Sequence, residues 1–180
     1  MTEAADKRVK GKIFVVDDEA RICEAVQRAL VRSGYQVETS LDPMDALEKI
    51  HKGSWDMVIC DIKMPAMDGM TLLDRIKEYD ANILVLMITG YASIESAVEA
   101  VKRGAQEYIP KPFAPGQLRL IVERAFERKR LLEQNLHLKT ELGQANVRNV
   151  VMGKSPLMEQ LFGLVAKVAM TDSAVLITGE

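Results

Sequence analysis

The stretch Ile13-Phe14-Val15-Val16-Asp17-Asp18-Glu19 decides the fold, because four apolar residues run directly into three acidic ones. Two further apolar runs, Met57–Cys60 and Ile83–Ile88, each end in the same way at a polar residue. A strand that is apolar throughout needs cover on both faces, and parallel strands flanked by helices meet that need. The runs therefore predict the central strands of an α/β protein.

Segments with helical periodicity separate these runs and predict the remaining architecture. The helices are expected at Ala20–Ser33, Pro43–Lys52, Thr71–Glu78 and Ser93–Arg103. Two shorter strands are expected at Tyr35–Ser40, which alternates in polarity like an edge strand, and at Gln106–Ile109. Right-handed crossovers then give a doubly wound, five-stranded parallel sheet of flavodoxin-like order 2-1-3-4-5.

Composition excludes several classes of protein. A net charge of −2 and an aromatic content of 5% give no basis for direct nucleic-acid contact. No apolar run approaches the roughly 20 residues of a membrane helix. Cys23 and Cys60 lack a metal-site spacing and cannot form a disulfide framework, which fits a reducing compartment. We therefore expect a cytoplasmic chain without a membrane partner.

Polar side chains gather where the predicted strands end. Asp17 and Asp18 follow the first strand, and Asp61 follows the third. Thr89 follows the fourth strand and Lys111 comes shortly after the fifth. Ligand sites in such sheets lie beyond the carboxyl ends of strands spaced about 4.8 Å apart. These side chains are therefore expected to meet around one small ligand.

The chemistry of three clustered carboxylates restricts what that ligand can be. The carboxylates repel one another, and a hard divalent cation such as Mg²⁺ removes the conflict. A carboxylate oxygen can then attack a phosphoryl group and form an acyl phosphate. Lys111 and Thr89 would contact the oxygens of the transferred group. The residues thus predict a Mg²⁺-dependent phosphoryl acceptor.

Other interpretations of the same residues remain open at this point. Taken singly, Asp17 and Asp18 could cap a helix, and Lys111 could be a solvated charge. A haloacid dehalogenase-like phosphohydrolase would place its nucleophile and a second Asp two residues apart after the first strand. A flavodoxin-like cofactor binder would want a Ser/Thr/Gly-rich loop there, where Asp17-Asp18-Glu19 would repel phosphate.

Four motifs together resemble the receiver domain of bacterial two-component response regulators. They are Asp17-Asp18, the stretch Asp61–Gly69, Ile88-Thr89-Gly90 and Lys111-Pro112-Phe113. The resemblance implies an N-terminal tail over residues 1–11 and a receiver domain over residues 12–128. It also implies that a sensor histidine kinase is the phosphoryl donor, and that the domain is a signalling module rather than an enzyme.

The resemblance assigns the metal and phosphoryl sites residue by residue. Asp61 would be the phospho-acceptor. Mg²⁺ would be held by Asp17, Asp18 and Asp61 together with the backbone carbonyl of Lys63.

The same resemblance assigns the residues that respond to phosphorylation. Thr89 and Tyr108 match the switch pair of the family, and Lys111 matches its phosphate-binding lysine. The Lys111–Pro112 bond is expected to be cis.

A long helix follows the predicted receiver, from Pro115 to about Leu142, with a break expected over Gly143–Asn149. Residues 129–149 would form a linker, and one face carries a coiled-coil-like series with a single core Asn: Leu131, Asn135, Leu138 and Leu142. That face predicts a homodimer, with the receiver face as a second possible interface. A competing apolar face (Val122, Ala125, Leu132, Leu136) and a solvated helix remain alternatives.

Residues 150–180 resemble the opening of the AAA+ ATPase domain of NtrC-like sigma-54-dependent activators. A strand is expected at Ala174–Thr178, followed only by Gly179-Glu180, so most of a G-x-x-x-x-G-K-[ST] phosphate loop would be missing. The resemblance implies a truncated ATPase domain. Phosphorylation would then control dimer packing, ATPase activity and transcription in an intact protein. It would do so either by creating an activating contact or by breaking an inhibitory dimer.

Overall fold

The computed structural model describes residues 9–90, 94–148, 155–168 and 176. Strands and helices alternate along its first part: β1 (Lys12–Val16), α1 (Ala20–Val31), β2 (Gln36–Ser40), α2 (Pro43–Lys52), β3 (Met57–Asp61), α3 (Gly69–Tyr79), β4 (Leu84–Thr89), α4 (Ile94–Lys102) and β5 (Glu107–Pro110). Two helices follow: α5 (Pro115–Arg148) and α6 (Pro156–Val168).

The five strands form one parallel sheet in the order β2-β1-β3-β4-β5. This confirms the predicted topology. The register pairs Val16 with Cys60, and Asp61 with Ile88. The residues that follow β1, β3 and β4 therefore emerge side by side at one edge of the sheet.

Two apolar layers cover the sheet and explain why its central strands are apolar between their ends, with Asp61 and Thr89 as the last residues of β3 and β4. On one face, Phe14, Val58 and Met87 pack with Ile50 of α2 and Leu73 of α3. The alternate residues of the same strands point to the other face, where α1 and α5 cover them; the residues involved include Ile13, Ile59, Leu86, Val26, Leu30, Leu118 and Val122.

The local ends of the helices follow the sequence signals. Asp42 accepts a 2.8 Å hydrogen bond from the backbone N–H of Met44, and Pro43 occupies the first turn of α2. After α1 the backbone turns at Gly34 with φ of 92°, a left-handed conformation that glycine adopts without steric cost.

The chain divides into two compact units, Met1–Leu131 and Leu132–Glu180, and α5 begins in the first and extends into the second. In the first unit, Leu118, Val122 and Ala125 of α5 are buried against the sheet. Val122 and Ala125, which belong to the competing apolar face, thus pack on the receiver itself.

The prediction of a helix break over Gly143–Asn149 is wrong for residues 143–148, because α5 continues without interruption to Arg148. A glycine inside a helix costs only about 1 kcal/mol relative to alanine, and its neighbours here are good helix formers. Ser93 and the predicted strand Ala174–Thr178, apart from Leu176, lie outside the described residues. Within the part of the chain that the structure describes, no helix has the length and apolar character needed to cross a membrane.

Candidate functional site

Three carboxylates meet at the carboxyl edge of the sheet. Asp17 directly follows β1, and Asp61 is the last residue of the neighbouring strand β3. One carboxylate oxygen from each of Asp17, Asp18 and Asp61 lies within 4.8 Å of the other two. Asp17 and Asp61 are buried, whereas Asp18 faces solvent. The structure thus brings together the acidic residues that the sequence predicted for one site.

Asp17 is the most constrained of the three, with a side chain that is almost wholly buried. Its Oδ1 accepts a 2.9 Å hydrogen bond from the backbone N–H of Glu19. Its Oδ2 lies 2.8 Å from Lys111 Nζ as an ion pair, but no donor reaches it in good hydrogen-bond geometry among the described residues. Burial raises the pKa of Asp17, and the nearby Asp61 adds to this, while Lys111 opposes it.

Lys111 is the cation of the site. Its Nζ lies 2.8 Å from Asp17, 3.2 Å from Asp61 Oδ2 and 3.3 Å from Glu19 Oε1. Burial would lower the pKa of Lys111, but Asp17 and Asp61 together outweigh it, so the net effect raises the pKa and the ammonium stays charged. The expected cis bond between Lys111 and Pro112 is present.

Glu19 is a member of the cluster that the sequence analysis missed as a site residue. It is largely exposed, and it reaches Lys111 from the start of α1. Its position immediately after Asp17-Asp18 was a signal, since a third acidic residue at a strand end lies within reach of the same pocket.

The loop after Asp61 holds this side chain in place through its backbone. Asp61 Oδ1 accepts a 2.8 Å hydrogen bond from the N–H of Ile62, and Gly69 N–H donates to the carbonyl of Ile62 at 2.8 Å. Gly69 packs so closely on the backbone of Asp61 that a Cβ atom there would overlap the Asp61 carbonyl oxygen. Lys63, whose carbonyl was predicted to bind the metal, lies in this loop with its side chain exposed.

Thr89 and Tyr108 occupy neighbouring strands beside the acidic cluster. Thr89 is buried at the end of β4, one strand away from Asp61. Tyr108 lies on β5 opposite Met87 and is half-buried. The Tyr108 hydroxyl lies 2.9 Å from the Ser96 hydroxyl of α4, a contact that the sequence did not predict.

The donor set fits a hard divalent cation. All the clustered ligand atoms are carboxylate oxygens, which Mg²⁺ prefers, and one buried oxygen, Asp17 Oδ2, still has free hydrogen-bonding capacity. A cation there would also reduce the repulsion between Asp17 and Asp61. The acidic pocket therefore has the composition of a magnesium site.

Comparison with known families defines the class of the protein. The model of the response regulator receiver domain matches residues 13–123. The chain belongs to the response regulator receiver domain family.

Similarity to individual proteins extends over more of the chain than the match to the family model does. The transcriptional regulatory protein ZraR of Klebsiella oxytoca is 39% identical over 168 residues, which are 93% of this chain and 37% of that protein. The DNA-binding transcriptional regulator NtrC of Proteus hauseri is 32% identical over 171 residues, 95% of this chain and 36% of that protein. The chain thus spans little more than a third of the length of these relatives, and its resemblance to the NtrC-like group is confirmed.

Solved structures agree with this placement. The beryllofluoride-activated NtrC4 receiver domain dimer has a TM-score of 0.63 at 35% identity and covers 66% of this chain and 98% of that one. NtrX from Brucella abortus, in complex with ADP, has a TM-score of 0.68 at 35% identity and covers 88% of this chain and 35% of that one. These comparisons confirm the CheY-like receiver fold and give no support to the haloacid dehalogenase alternative.

Proposed function

We propose that Asp61 accepts a phosphoryl group from a sensor histidine kinase, at a site where Asp17, Asp18, Asp61 and the carbonyl of Lys63 hold Mg²⁺. The observation that carries this proposal is the convergence of three carboxylates within 4.8 Å beside the ammonium of Lys111. Catalysis of phosphoryl transfer rests mainly on positioning and on electrostatic stabilisation, and this cluster of carboxylates around a partly buried ammonium offers both.

The transfer step uses the residues at the edge of the sheet. A carboxylate oxygen of Asp61 attacks phosphorus and forms an acyl phosphate. The bond from phosphorus to the donor nitrogen breaks, and its electron pair remains on the histidine ring of the kinase. Bound Mg²⁺ supplies positive charge that offsets the charge of the transferred group. Lys111 and Thr89 bind the phosphoryl oxygens, Lys111 by exchanging its contact with Asp61 for one with the phosphoryl group.

The response to phosphorylation passes through the switch pair. Thr89 moves toward the phosphoryl group, and Tyr108 turns inward into the space that Thr89 leaves. Because Tyr108 lies on β5 beside α4, its rotation alters the face formed by α4, β5 and the start of α5. This altered face links chemistry at Asp61 to the helix that leaves the receiver.

The second half of α5 serves as a dimerisation element in this proposal. Leu131 and Leu138 of the predicted seam are more than half exposed, and Asn135 between them is exposed as well. A second copy of the same helix would bury these leucines, with Leu142 continuing the seam. The similarity to an NtrC4 receiver dimer supports pairing through the receiver face as a further contact.

In a full-length protein, this module would control an AAA+ ATPase and transcription from sigma-54 promoters. The names of the relatives, the transcriptional regulatory protein ZraR and the DNA-binding transcriptional regulator NtrC, support the part of that role that concerns transcription. Residues 150–180 would then begin the ATPase domain after a linker at 129–149. The module itself would act in the cytoplasm, without enzymatic turnover of an external substrate and without contacting DNA.

The test is phosphorylation by a small-molecule donor. Incubation with acetyl phosphate and Mg²⁺ should add one phosphoryl group to the protein, as measured by intact-protein mass spectrometry. Asp61→Asn should abolish the added mass. Asp68→Asn is the matched control, since Asp68 lies in the same loop and caps α3 through its side chain, a role that asparagine retains. Undiminished labelling of Asp61→Asn would refute the assignment.

A further inference from the structure

Two side-chain contacts secure the two ends of α4. At its carboxyl end, Arg103 lies 3.0 Å from Asp74 of α3. At its amino-terminal turn, the Ser96 hydroxyl lies 2.9 Å from the Tyr108 hydroxyl of β5. Ala100 between them is completely buried. The helix is thus joined to the rest of the domain by a charged contact at one end and a hydroxyl pair at the other.

Three apolar residues of α4 face solvent and therefore contribute little to its packing on the domain. Ile94, Val98 and Val101 are all exposed, and Ile94 retains 81% of its accessible surface. A short helix with so much apolar surface in water opens locally more easily than a well-buried one, so each contact with the domain contributes to its protection. Loss of one of them should therefore be visible as local opening.

The Ser96–Tyr108 pair is placed where its loss matters. Both side chains are half-buried, and the Tyr108 ring packs against the apolar layer that includes Met87, Ala100 and Ala105. A partly buried hydrogen bond is less readily replaced by one to water, so the pair is more costly to break than an exposed one.

We propose that Ser96 is a positioning residue of the switch, which ties the amino-terminal turn of α4 to Tyr108 before phosphorylation. The proposal rests on the function assigned to Tyr108 above and adds the partner that Tyr108 must leave. When Tyr108 turns inward, the hydroxyl pair separates, while the Arg103–Asp74 contact at the other end is untouched. The helix then pivots about its carboxyl end instead of detaching as a whole.

Hydrogen exchange of the α4 amides tests this directly in the unphosphorylated protein. Ser96→Ala should speed exchange at Val98 and Glu99, the first amides of α4 whose acceptors four residues back lie within the helix, by about two- to tenfold, the range expected for one lost hydrogen bond. Ser96→Thr, which keeps a hydroxyl, should restore slow exchange. Arg103→Gln is the matched control and should affect the carboxyl-terminal half instead.

A double-variant comparison separates the specific role from general destabilisation. Tyr108→Phe removes only the hydroxyl and should speed exchange at the same amides as Ser96→Ala. Because the two substitutions break one contact, Ser96→Ala combined with Tyr108→Phe should be no faster than either alone. The proposal would be overturned if the effects of the two substitutions on the exchange rate multiplied, or if Tyr108→Phe left the exchange rate of these amides unchanged.

The same exchange measurement on the phosphorylated protein is the second test of the proposal. After acetyl phosphate and Mg²⁺ have been shown by mass to modify the protein, Ser96→Ala should no longer change the exchange of α4, because Tyr108 has already left. An equal effect of Ser96→Ala in both states would refute the release of Tyr108 from Ser96. Absence of any added phosphoryl mass would instead refute the function of Asp61, and the unphosphorylated comparison would still decide the role of Ser96.

Discussion

Asp17 is the residue at which burial and charge conflict most directly. Its side chain is almost inaccessible, yet it lies beside Asp61 and depends on Lys111 for compensation. Burial raises its pKa above the ordinary value of 3.8. Compared with the unfolded state, the folded state therefore favours protonation of Asp17, so that ionised Asp17 costs stability at neutral pH when no metal is bound.

We predict that Asp17→Asn stabilises the metal-free domain by about 1 kcal/mol at neutral pH, the usual size of a single-residue effect. The stabilisation of the wild type by protonation is complete below pH 3.8 and is lost as the pH rises through the raised pKa. The advantage of the variant should therefore shrink as the pH falls. Urea unfolding in a chelator measures this, and a less stable variant at neutral pH would contradict it.

Magnesium should reduce the stability advantage of Asp17→Asn over the wild type. A ligand that binds only the native state stabilises it by mass action, and Asp17→Asn removes a proposed ligand. The wild type should therefore gain more than the variant when Mg²⁺ is added to the same unfolding measurement. Equal gains would show that Asp17 does not hold the metal.

Gly69 packs on the backbone of Asp61, the proposed phospho-acceptor. We predict that Gly69→Ala destabilises the domain by about 1–3 kcal/mol, the range for overpacking, because its Cβ would overlap the carbonyl oxygen of Asp61. Phosphorylation by acetyl phosphate should also slow. Gly116→Ala in the first turn of α5 is the control, since the nearest atom to its Cβ is 3.9 Å away on a flexible arginine. Normal stability and phosphorylation of Gly69→Ala would contradict this account.

The arrangement of the acidic cluster was predictable because each residue follows an apolar run. Asp17, Asp61 and Thr89 are fixed by strand order alone, since parallel neighbours end at the same edge. The contacts of Glu19 with Lys111 and of Ser96 with Tyr108 were not predictable in this way. They depend on how far a flexible side chain reaches, which periodicity does not encode.

At the scale of the element, the strands were predicted almost to the residue, because their apolar character is imposed by cover on two faces. The helix boundaries were predicted less accurately. The helix α3 starts at Gly69 rather than Thr71, since Asp68 accepts a hydrogen bond from Met70 N–H and caps it earlier. The continuation of α5 through Gly143 shows that a single glycine is a weak stop signal when no capping partner accompanies it.

The two exposed faces of the linker part of α5 can be distinguished by charge substitution. We predict that Leu131→Glu with Leu138→Glu abolishes the homodimer, because both leucines lie in the proposed seam. Leu132→Glu with Leu136→Glu is the matched control, since these leucines are equally exposed but lie outside that seam. Light scattering measures the mass, and loss of the dimer only in the second pair would assign the interface to the other face.

At the scale of the whole molecule, the receiver should keep its chemistry without the linker. We predict that a fragment of residues 1–128 accepts one phosphoryl group as the full chain does, while its dimer weakens in light scattering. The cut removes the partly exposed Lys129–Asp56 pair, whose 3.6 Å contact contributes about 1 kcal/mol or less. An unchanged dimer mass would place the interface on the receiver face.

The measurement that most directly tests the central claim locates the phosphoryl group on the intact chain. Borohydride reduces an acyl phosphate to an alcohol, so treatment after acetyl phosphate and Mg²⁺ should convert one aspartate into homoserine. Tandem mass spectrometry of the digested protein then identifies the residue. We predict homoserine at position 61 alone, dependent on Mg²⁺. Homoserine at position 17 or 18, with Asp61 unmodified, would contradict the account.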